Sequence, residues 1–472
     1  MIAALGSRIA RVFERTAPDP LTLAVVLTII AAILSVTLGD FATDGPGPLL
    51  ATIDAWRSDD GLWGLLGFAM QMCLILVTGH AVASSAAASH AIKKLAALPR
   101  TGGQGALVVG LIASALALLN WGLCLIGGAL LAREVGRGLT ARGVRHHYPL
   151  LAAAGYAGMA IWHGGLSGSA PLTVSSADNM ARVLPEDLIE TIGPIDLEAT
   201  VFSPLNLFVT GGLVVLLPLT LWALAPGPAQ EARSMSESAA DSSTDPLPSD
   251  QRPAPARPAT APEWMARTPP LAWLLAAAAL LATARFLFQG GPAALPSNLA
   301  RTGLNEIILA VFGLGLLAHG SLHAYGRAVE NGARACAGII LQFPLYAGIA
   351  AMLGAAGLTA EAADRLRGVG PGGLEVLTFG AAAVVNFFVP SGGGQFGVQG
   401  ELVLRAGLAA GVEPGRMIMA FAYGDQLTNM LQPFWALPLL AITGCKAREI
   451  VGYTAVVMVV AAAWSVLGLL VF

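Results

Sequence analysis

Charge is scarce in this chain. Asp, Glu, Lys and Arg make up 12% of its 472 residues, 55% are hydrophobic, and the mean hydropathy is +0.69. An average soluble domain carries roughly 25% charged residues, so this balance excludes a water-soluble globular fold. The net charge of −3 comes without a basic stripe, and no nucleic-acid partner is expected. Cysteine is rare as well. Cys73, Cys124, Cys336 and Cys445 stand singly in apolar segments, with no C-x-x-C and no His/Cys spacing that suits a metal. They read as small core hydrophobes, and neither a resident metal nor a cofactor is expected. Two suggestive loops lack their partners: SGGGQFG (391 to 397) is followed by no G-K-[ST], and HGGLSGS (163 to 169) has no G-x-S-x-G elbow elsewhere to supply a nucleophile.

What is abundant is membrane-length apolar sequence. A transmembrane helix needs about 20 apolar residues, and about nine stretches qualify: 21 to 38, 62 to 83, 149 to 172, 201 to 224, 270 to 288, 304 to 322, 335 to 356, 417 to 442 and 451 to 471. Two shorter apolar stretches, 105 to 131 and 374 to 402, are left over. Arg8, Arg11 and Arg15 resemble a signal n-region, but the span behind them is long and no A-x-A site directly follows. An uncleaved first helix is expected. The chain reads as an all-α integral membrane protein embedded in a lipid bilayer.

Glycine and polar residues interrupt these apolar runs at four places: Asn120 to Gly128, His163 to Pro171, Asn386 to Phe396 and Gly424 to Pro433. Lipid cannot satisfy the backbone groups that a helix break frees, so such breaks survive only when buried in protein or lining an aqueous cavity. They are therefore the candidate working site. Charge sorts them into two kinds. The loop with Lys93, Lys94 and Arg100 and the loop with Arg133, Arg137, Arg142 and Arg145 both favour the cytoplasm, although the stretch 105 to 131 separates them. That stretch is expected to be a re-entrant hairpin turning near Asn120 to Gly122. The acid-rich loop 173 to 200 is expected outside.

Residues 225 to 268, rich in Pro, Ala and Ser, read as a disordered cytoplasmic linker, and beyond it the order of elements repeats. Asn120 and Asn386, Glu134 and Glu401, Tyr156 and Tyr423, and Pro171 and Pro438 pair at a spacing of about 267. Residues 1–224 form an N-terminal repeat with hairpin 105–131 and broken span 149–172. An intervening span, 269–303, makes the second repeat, 304–472, start from the opposite face, with hairpin 374–402 and broken span 417–442. The expected fold is thus two inverted repeats: about nine transmembrane helices plus two re-entrant hairpins, with two spans broken at mid-membrane. The N-terminus and linker lie in the cytoplasm.

The stretches MQMCLILVTGHAVASS (70 to 85), LLNWGLCLIGGALLAREV (118 to 135), VNFFVPSGGGQFGVQG (385 to 400) and AYGDQLTNMLQPFWALP (422 to 438) resemble the short-chain fatty acid transporter family over nearly the whole chain outside the linker. The family is similar in plan to the ion-transporter superfamily of anion carriers. The resemblance implies inverted repeats, commonly a homodimer, and a multi-pass carrier of the bacterial inner membrane. Two positions depart from the family pattern: His163 stands where glycine is frequent, and Asp425 where glutamate is usual.

A short-chain fatty acid presents a carboxylate and a short alkyl tail. Helix ends at the hairpin tips offer unpaired N–H groups and a positive dipole end to the anion. The candidate substrate residues are Asn120, Trp121, Gly122, Ser167, Ser169, Asn386, Ser391, Gly392, Gly393, Gly394, Gln395, Thr428 and Asn429, with Trp162, Phe387, Phe388, Phe396, Phe434 and Trp435 as further walls for the tail. No lysine or arginine lies in the interruptions, so a co-transported H⁺ or Na⁺ is expected to balance the charge. Asp425 is the sharpest coupling candidate, because an intramembrane carboxylate is costly to keep; capping a half-helix is its structural alternative. His163, a residue type that titrates near physiological pH, is the second. Gln71 and Gln342 are placed to bond across helices. The reading is a secondary carrier for monocarboxylates such as acetate, butyrate or acetoacetate, not an enzyme. Its rivals are a carrier of dicarboxylates or other organic anions, an intramembrane hydrolase using Ser167 or Ser391 with His163, and a passive channel.

Overall fold

Serine and threonine open many of the long helices. Thr101, Ser203 and Ser321 each accept the N–H of the residue three positions on, at 3.2 Å. Each cap satisfies a donor that the first turn leaves unpaired. The computed structural model describes residues 20–41, 46–225, 260–300, 302–359, 361, 370–386 and 391–472. Arg8, Arg11, Arg15, residues 226 to 259 of the linker, Phe387 and Phe388 lie outside them, as does the side chain of Phe434.

Every regular element among the described residues is helical. The main helices are α1 (Pro20–Leu38), α2 (Leu66–Ala83), α3 (Gly102–Leu119), α4 (Trp121–Ala141), α5 (Tyr148–Tyr156), α6 (Ser169–Val174), α7 (Pro204–Ala223), α8 (Pro269–Leu287), α9 (Leu304–His319), α10 (Ala337–Ala355), α11 (Pro371–Asn386), α12 (Gly392–Ala410), α13 (Pro414–Leu427), α14 (Pro433–Thr443) and α15 (Ala447–Val471). Among the described residues 6 helices, α2, α3, α7, α8, α10 and α15, are long and apolar enough to cross a membrane. The expectation of nine full spans is corrected accordingly. Five of those nine are such helices, α1 (over Ala24–Leu38) and α9 give shorter apolar stretches, and the other two are broken. The sixth long helix, α3, belongs to a stretch assigned to a hairpin.

Both expected hairpin stretches were drawn too short. The first is α3 and α4, joined through Asn120 alone and packed along each other. It extends to Ala141 rather than ending at 131, because Glu134 and Arg137 pair at 2.8 Å on a solvent-accessible face while the backbone stays helical. Hydropathy stops at the first charge; helical hydrogen bonding does not. The second, α11 and α12, runs from Pro371 to Ala410.

The broken elements occupy the centre. All nine residues of α5 are buried, as is α13 from Met417 to Leu427. α2 is 67% buried, whereas the most apolar stretch of α8 is 17% buried and exposes Trp273, Leu274 and Leu281. An apolar face turned outward fits a lipid environment. The base of the first hairpin meets the start of α5: a Cβ at Gly102 would lie 3.0 Å from His146, and Arg142 donates to Ala97 O at 3.4 Å. The base of the second meets the chain beyond α6, where Arg405 pairs with Asp187 at 2.9 Å and Gly415 abuts Ala199.

Candidate functional site

Between α5 and α6 the chain makes two short 3-10 turns, Ala157–Ala160 and Trp162–Gly164, before helix resumes at Ser169. Between α13 and α14 lies another, Thr428–Leu431, with Pro433 opening α14. Glycine at 168 is required because any Cβ would sit 2.1 Å from the carbonyl of His163. Groups freed at each break are bonded by side chains of both halves of the chain. Gln426 Oε1 accepts the His163 N–H at 3.0 Å, and Tyr156 OH donates to Asn429 O at 2.8 Å. Asn206 donates to Gly164 O at 2.9 Å, and Tyr423 OH donates to Asn206 Oδ1 at 3.1 Å. This is how unwound backbone is retained inside an apolar bundle.

Where the breaks meet, His163 faces Asp425, both at most 1% exposed. His163 Nε2 accepts the Ala170 N–H at 3.0 Å, which leaves the ring proton on Nδ1, and Nδ1 donates to Asp425 Oδ2 at 2.7 Å. Asp425 Oδ1 has no partner among the described residues. A buried carboxylate with one oxygen unsatisfied is expensive unless a cation or proton joins it. Ser169 Oγ lies 3.2 Å from Nε2, so serine, histidine and aspartate stand in the order of a hydrolytic triad. The Ala170 N–H, however, takes the lone pair that would receive the serine proton. The serines of the hydrolase reading are engaged elsewhere: Ser167 accepts the Trp121 N–H at 2.9 Å and Ser391 caps α12.

Both hairpin tips bear on the first break. At the first, Asn120 Oδ1 accepts the Leu123 N–H at 2.9 Å and Asn120 Nδ2 donates to Ile75 O at 3.4 Å. Trp121 meets Trp162 and Trp435 edge to face, with centroids 6.2 and 5.3 Å apart, and Gly122 rests on Leu76. At the second, Ser391 Oγ accepts the Gly394 N–H at 3.2 Å, while the Gly392 and Gly393 amides form no hydrogen bond among the described residues. A Cβ at Gly392 would come within 3.0 Å of Trp162, Ser169 Oγ and Asp425 Oδ2 at once. Gly393 faces Phe68, Gly394 lies against the Tyr346 ring, and Gln395 donates to Ala382 O and Gln399 at 2.8 Å.

Thr428, Asn429 and Asn386 form a separate knot: Asn386 Nδ2 donates to both others at 2.9 Å, and Thr428 donates to Ala383 O at 3.0 Å. Gln71 crosses helices, donating to Asn305 at 2.7 Å and Asn179 at 3.3 Å, whereas Gln342 accepts from Tyr346 within its own helix. Sequence reasoning missed Gln426, Asn206 and Gln432, which donates to Asn386 O, and the buried pair of Glu375 and Arg416 at 2.7 Å. Glu375 was legible as a carboxylate in an apolar stretch. A cavity of about 620 Å³ lined by Arg182, Glu186, Gly397 and Glu401 flanks α12, and its lining includes neither His163 nor Asp425.

A family model described as short chain fatty acid transporter matches residues 1–472. The chain belongs to the short-chain fatty acid transporter family. Two relatives, from Escherichia coli (strain K12) and Haemophilus influenzae (strain ATCC 51907 / DSM 11121 / KW20 / Rd), both carry the name "Putative short-chain fatty acid transporter". The first is 35% identical over 477 residues, covering 100% of each chain, and the second 33% identical over 470 residues, covering 99% of each. Among solved structures, the YdaH transporter of Alcanivorax borkumensis superposes with a TM-score of 0.58 at 16% identity, covering 96% of this chain and 97% of that one. MtrF of Neisseria gonorrhoeae, presented as illuminating a class of antimetabolite efflux pumps, gives 0.53 at 16% identity, covering 97% of both. At that identity the likeness speaks for the fold alone. This member of the family is an all-helical protein with several membrane-spanning helices, and its family acts on small carboxylates.

Proposed function

We propose that this chain is a secondary active carrier that takes up short-chain monocarboxylates of the acetate, butyrate and acetoacetate type together with a cation, H⁺ or Na⁺. The observation that carries it is Asp425: a fully buried carboxyl, bonded through one oxygen to His163 and unpartnered at the other, at the point where both breaks and the second hairpin tip meet. The unpaired Gly392 and Gly393 amides at the N-terminus of α12 receive the substrate carboxylate. Trp121, Trp162 and Trp435 wall the alkyl tail.

The two halves act as inverted repeats, with α3 and α4 and then α11 and α12 as re-entrant hairpins. Two features support this. Each hairpin has a side-chain cap at its tip and packs on two long helices and one broken element of its own half. Their bases meet opposite ends of the element from α5 to α6. Alternating access moves the hairpins and broken spans against the remaining helices, with the N-terminus and linker in the cytoplasm of a bacterial inner membrane.

Uptake of labelled butyrate into proteoliposomes under separately imposed pH and Na⁺ gradients tests the reading. Concentrative uptake driven by one gradient is expected, whereas equilibration without accumulation contradicts it and indicates a channel. Strong competition by succinate favours a dicarboxylate carrier instead.

A further inference from the structure

Resting on the proposed uptake of monocarboxylates, we infer that the coupled ion is a proton carried on Asp425 Oδ1, and that it is obligatory because the Asp425 carboxylate and the substrate carboxylate compete for the N-terminus of α12. That N-terminus has two amides unpaired among the described residues, Gly392 and Gly393, and the positive end of a 19-residue helix behind them. The position a Gly392 Cβ would take is 3.0 Å from Asp425 Oδ2, so the carboxyl already lies against this end. Like charges a few ångströms apart in low dielectric repel strongly. A second carboxylate is admitted once Asp425 is neutral.

Several features favour a proton over a sodium ion. The three atoms nearest the position a Gly392 Cβ would take belong to the Trp162 ring, the Ser169 hydroxyl and Asp425 Oδ2, so an apolar ring fills part of the space beside the carboxyl. The donor slot at Oδ2 is filled by His163 Nδ1, and His163 does not carry the proton itself because Ala170 N–H occupies Nε2. The remaining elements around Asp425 supply no competing charge at the site. The α12 tip carries none, Glu375 of α11 is paired with Arg416, and α15 bears Arg448 and Glu449 in its first turn. The cycle balances simply: one proton adds to Oδ1 from the side of uptake, one carboxylate binds, and both leave on the other side, so the translocated pair is neutral.

The test is equilibrium binding of labelled butyrate to the purified full chain across pH, with and without Na⁺, beside the pH change in weakly buffered solution on mixing. On the alkaline side the affinity is expected to fall roughly tenfold per pH unit, the slope of one linked proton, with about one proton taken up per butyrate bound and no response to Na⁺. D425N, the neutral isostere, is expected to lose that slope and to bind at alkaline pH as the wild type does in acid. Wild-type binding without proton uptake, affinity raised by Na⁺ at constant pH, or a D425N protein that keeps the slope overturns the inference. No butyrate binding at any pH or Na⁺ concentration contradicts the monocarboxylate reading beneath it.

Discussion

The two hairpin tips use one device for different ends. Each is a break followed by a polar cap, yet the first is the more fully bonded: Asn120 bonds Leu123 and Ile75 and Ser167 takes the Trp121 N–H, which leaves the Gly122 amide alone without a hydrogen bond among the described residues. The second leaves two amides unpaired among the described residues, beside an Asp425 oxygen that is unpaired among them too. On the proposed function, the more fully bonded tip supplies rigidity and an aromatic wall, and the other supplies the chemistry. If the two halves are the repeats proposed, corresponding tips need not carry corresponding roles.

The comparison breaks most sharply at Asp425. Replacing it by Asn removes the anion that answers to a cation, so cation-driven accumulation of butyrate should fall on the order of a hundredfold or more, from the loss of about 1.5–3 kcal/mol of charge-assisted bonding together with the coupling itself. Surface labelling should find the variant inserted in the membrane as before. Next is G392A, whose Cβ meets three groups within 3.0 Å. Overpacking of about 1–3 kcal/mol is expected there, so the thermal midpoint should fall, and initial uptake rates should drop roughly tenfold or more in protein that remains folded.

On the first tip the readout reverses. S167A leaves the Trp121 N–H unpaired, at about 1–3 kcal/mol, so the thermal midpoint should fall while the ion dependence of uptake keeps its form. Caps give a gentler contrast, since losing one costs about 1 kcal/mol: S391A should raise the KM for butyrate several-fold, and N120A should chiefly lower stability. The smallest effect belongs to the aromatic wall. Shortening Trp435 to Phe removes part of the tail's contact, and with about 0.8 kcal/mol per buried methylene the preference for butyrate over acetate should change by a few-fold in competition assays.

The breaks were legible in the sequence because HGGLSGSAP and GDQLTNMLQP put glycine, amide and carboxylate where lipid tolerates none. The pairing of His163 with Asp425 was not, although both were singled out, because nothing local relates residues 262 apart in the chain. The same holds for Tyr156 with Asn429 and for Gln426 with the His163 amide. Hairpin arm lengths were misjudged for the reason seen at Glu134 and Arg137, where a charged face conceals a continuing helix. Asn120 and Ser391 were read as substrate donors, and in the structure their side-chain oxygens accept the amides that cap α4 and α12. Sequence marks a polar side chain in an apolar run but not whether its bonds are already used.

The difference between the tips rests on Asp425, and the most direct measurement is butyrate accumulation in proteoliposomes by wild type and D425N side by side, under an imposed pH gradient and, separately, a Na⁺ gradient. Accumulation by the wild type under the pH gradient alone, absent in D425N reconstituted to equal density, is the predicted result. If D425N accumulates butyrate with its pH and Na⁺ dependence unaltered, Asp425 is not the coupling site and the second tip is no more chemical than the first.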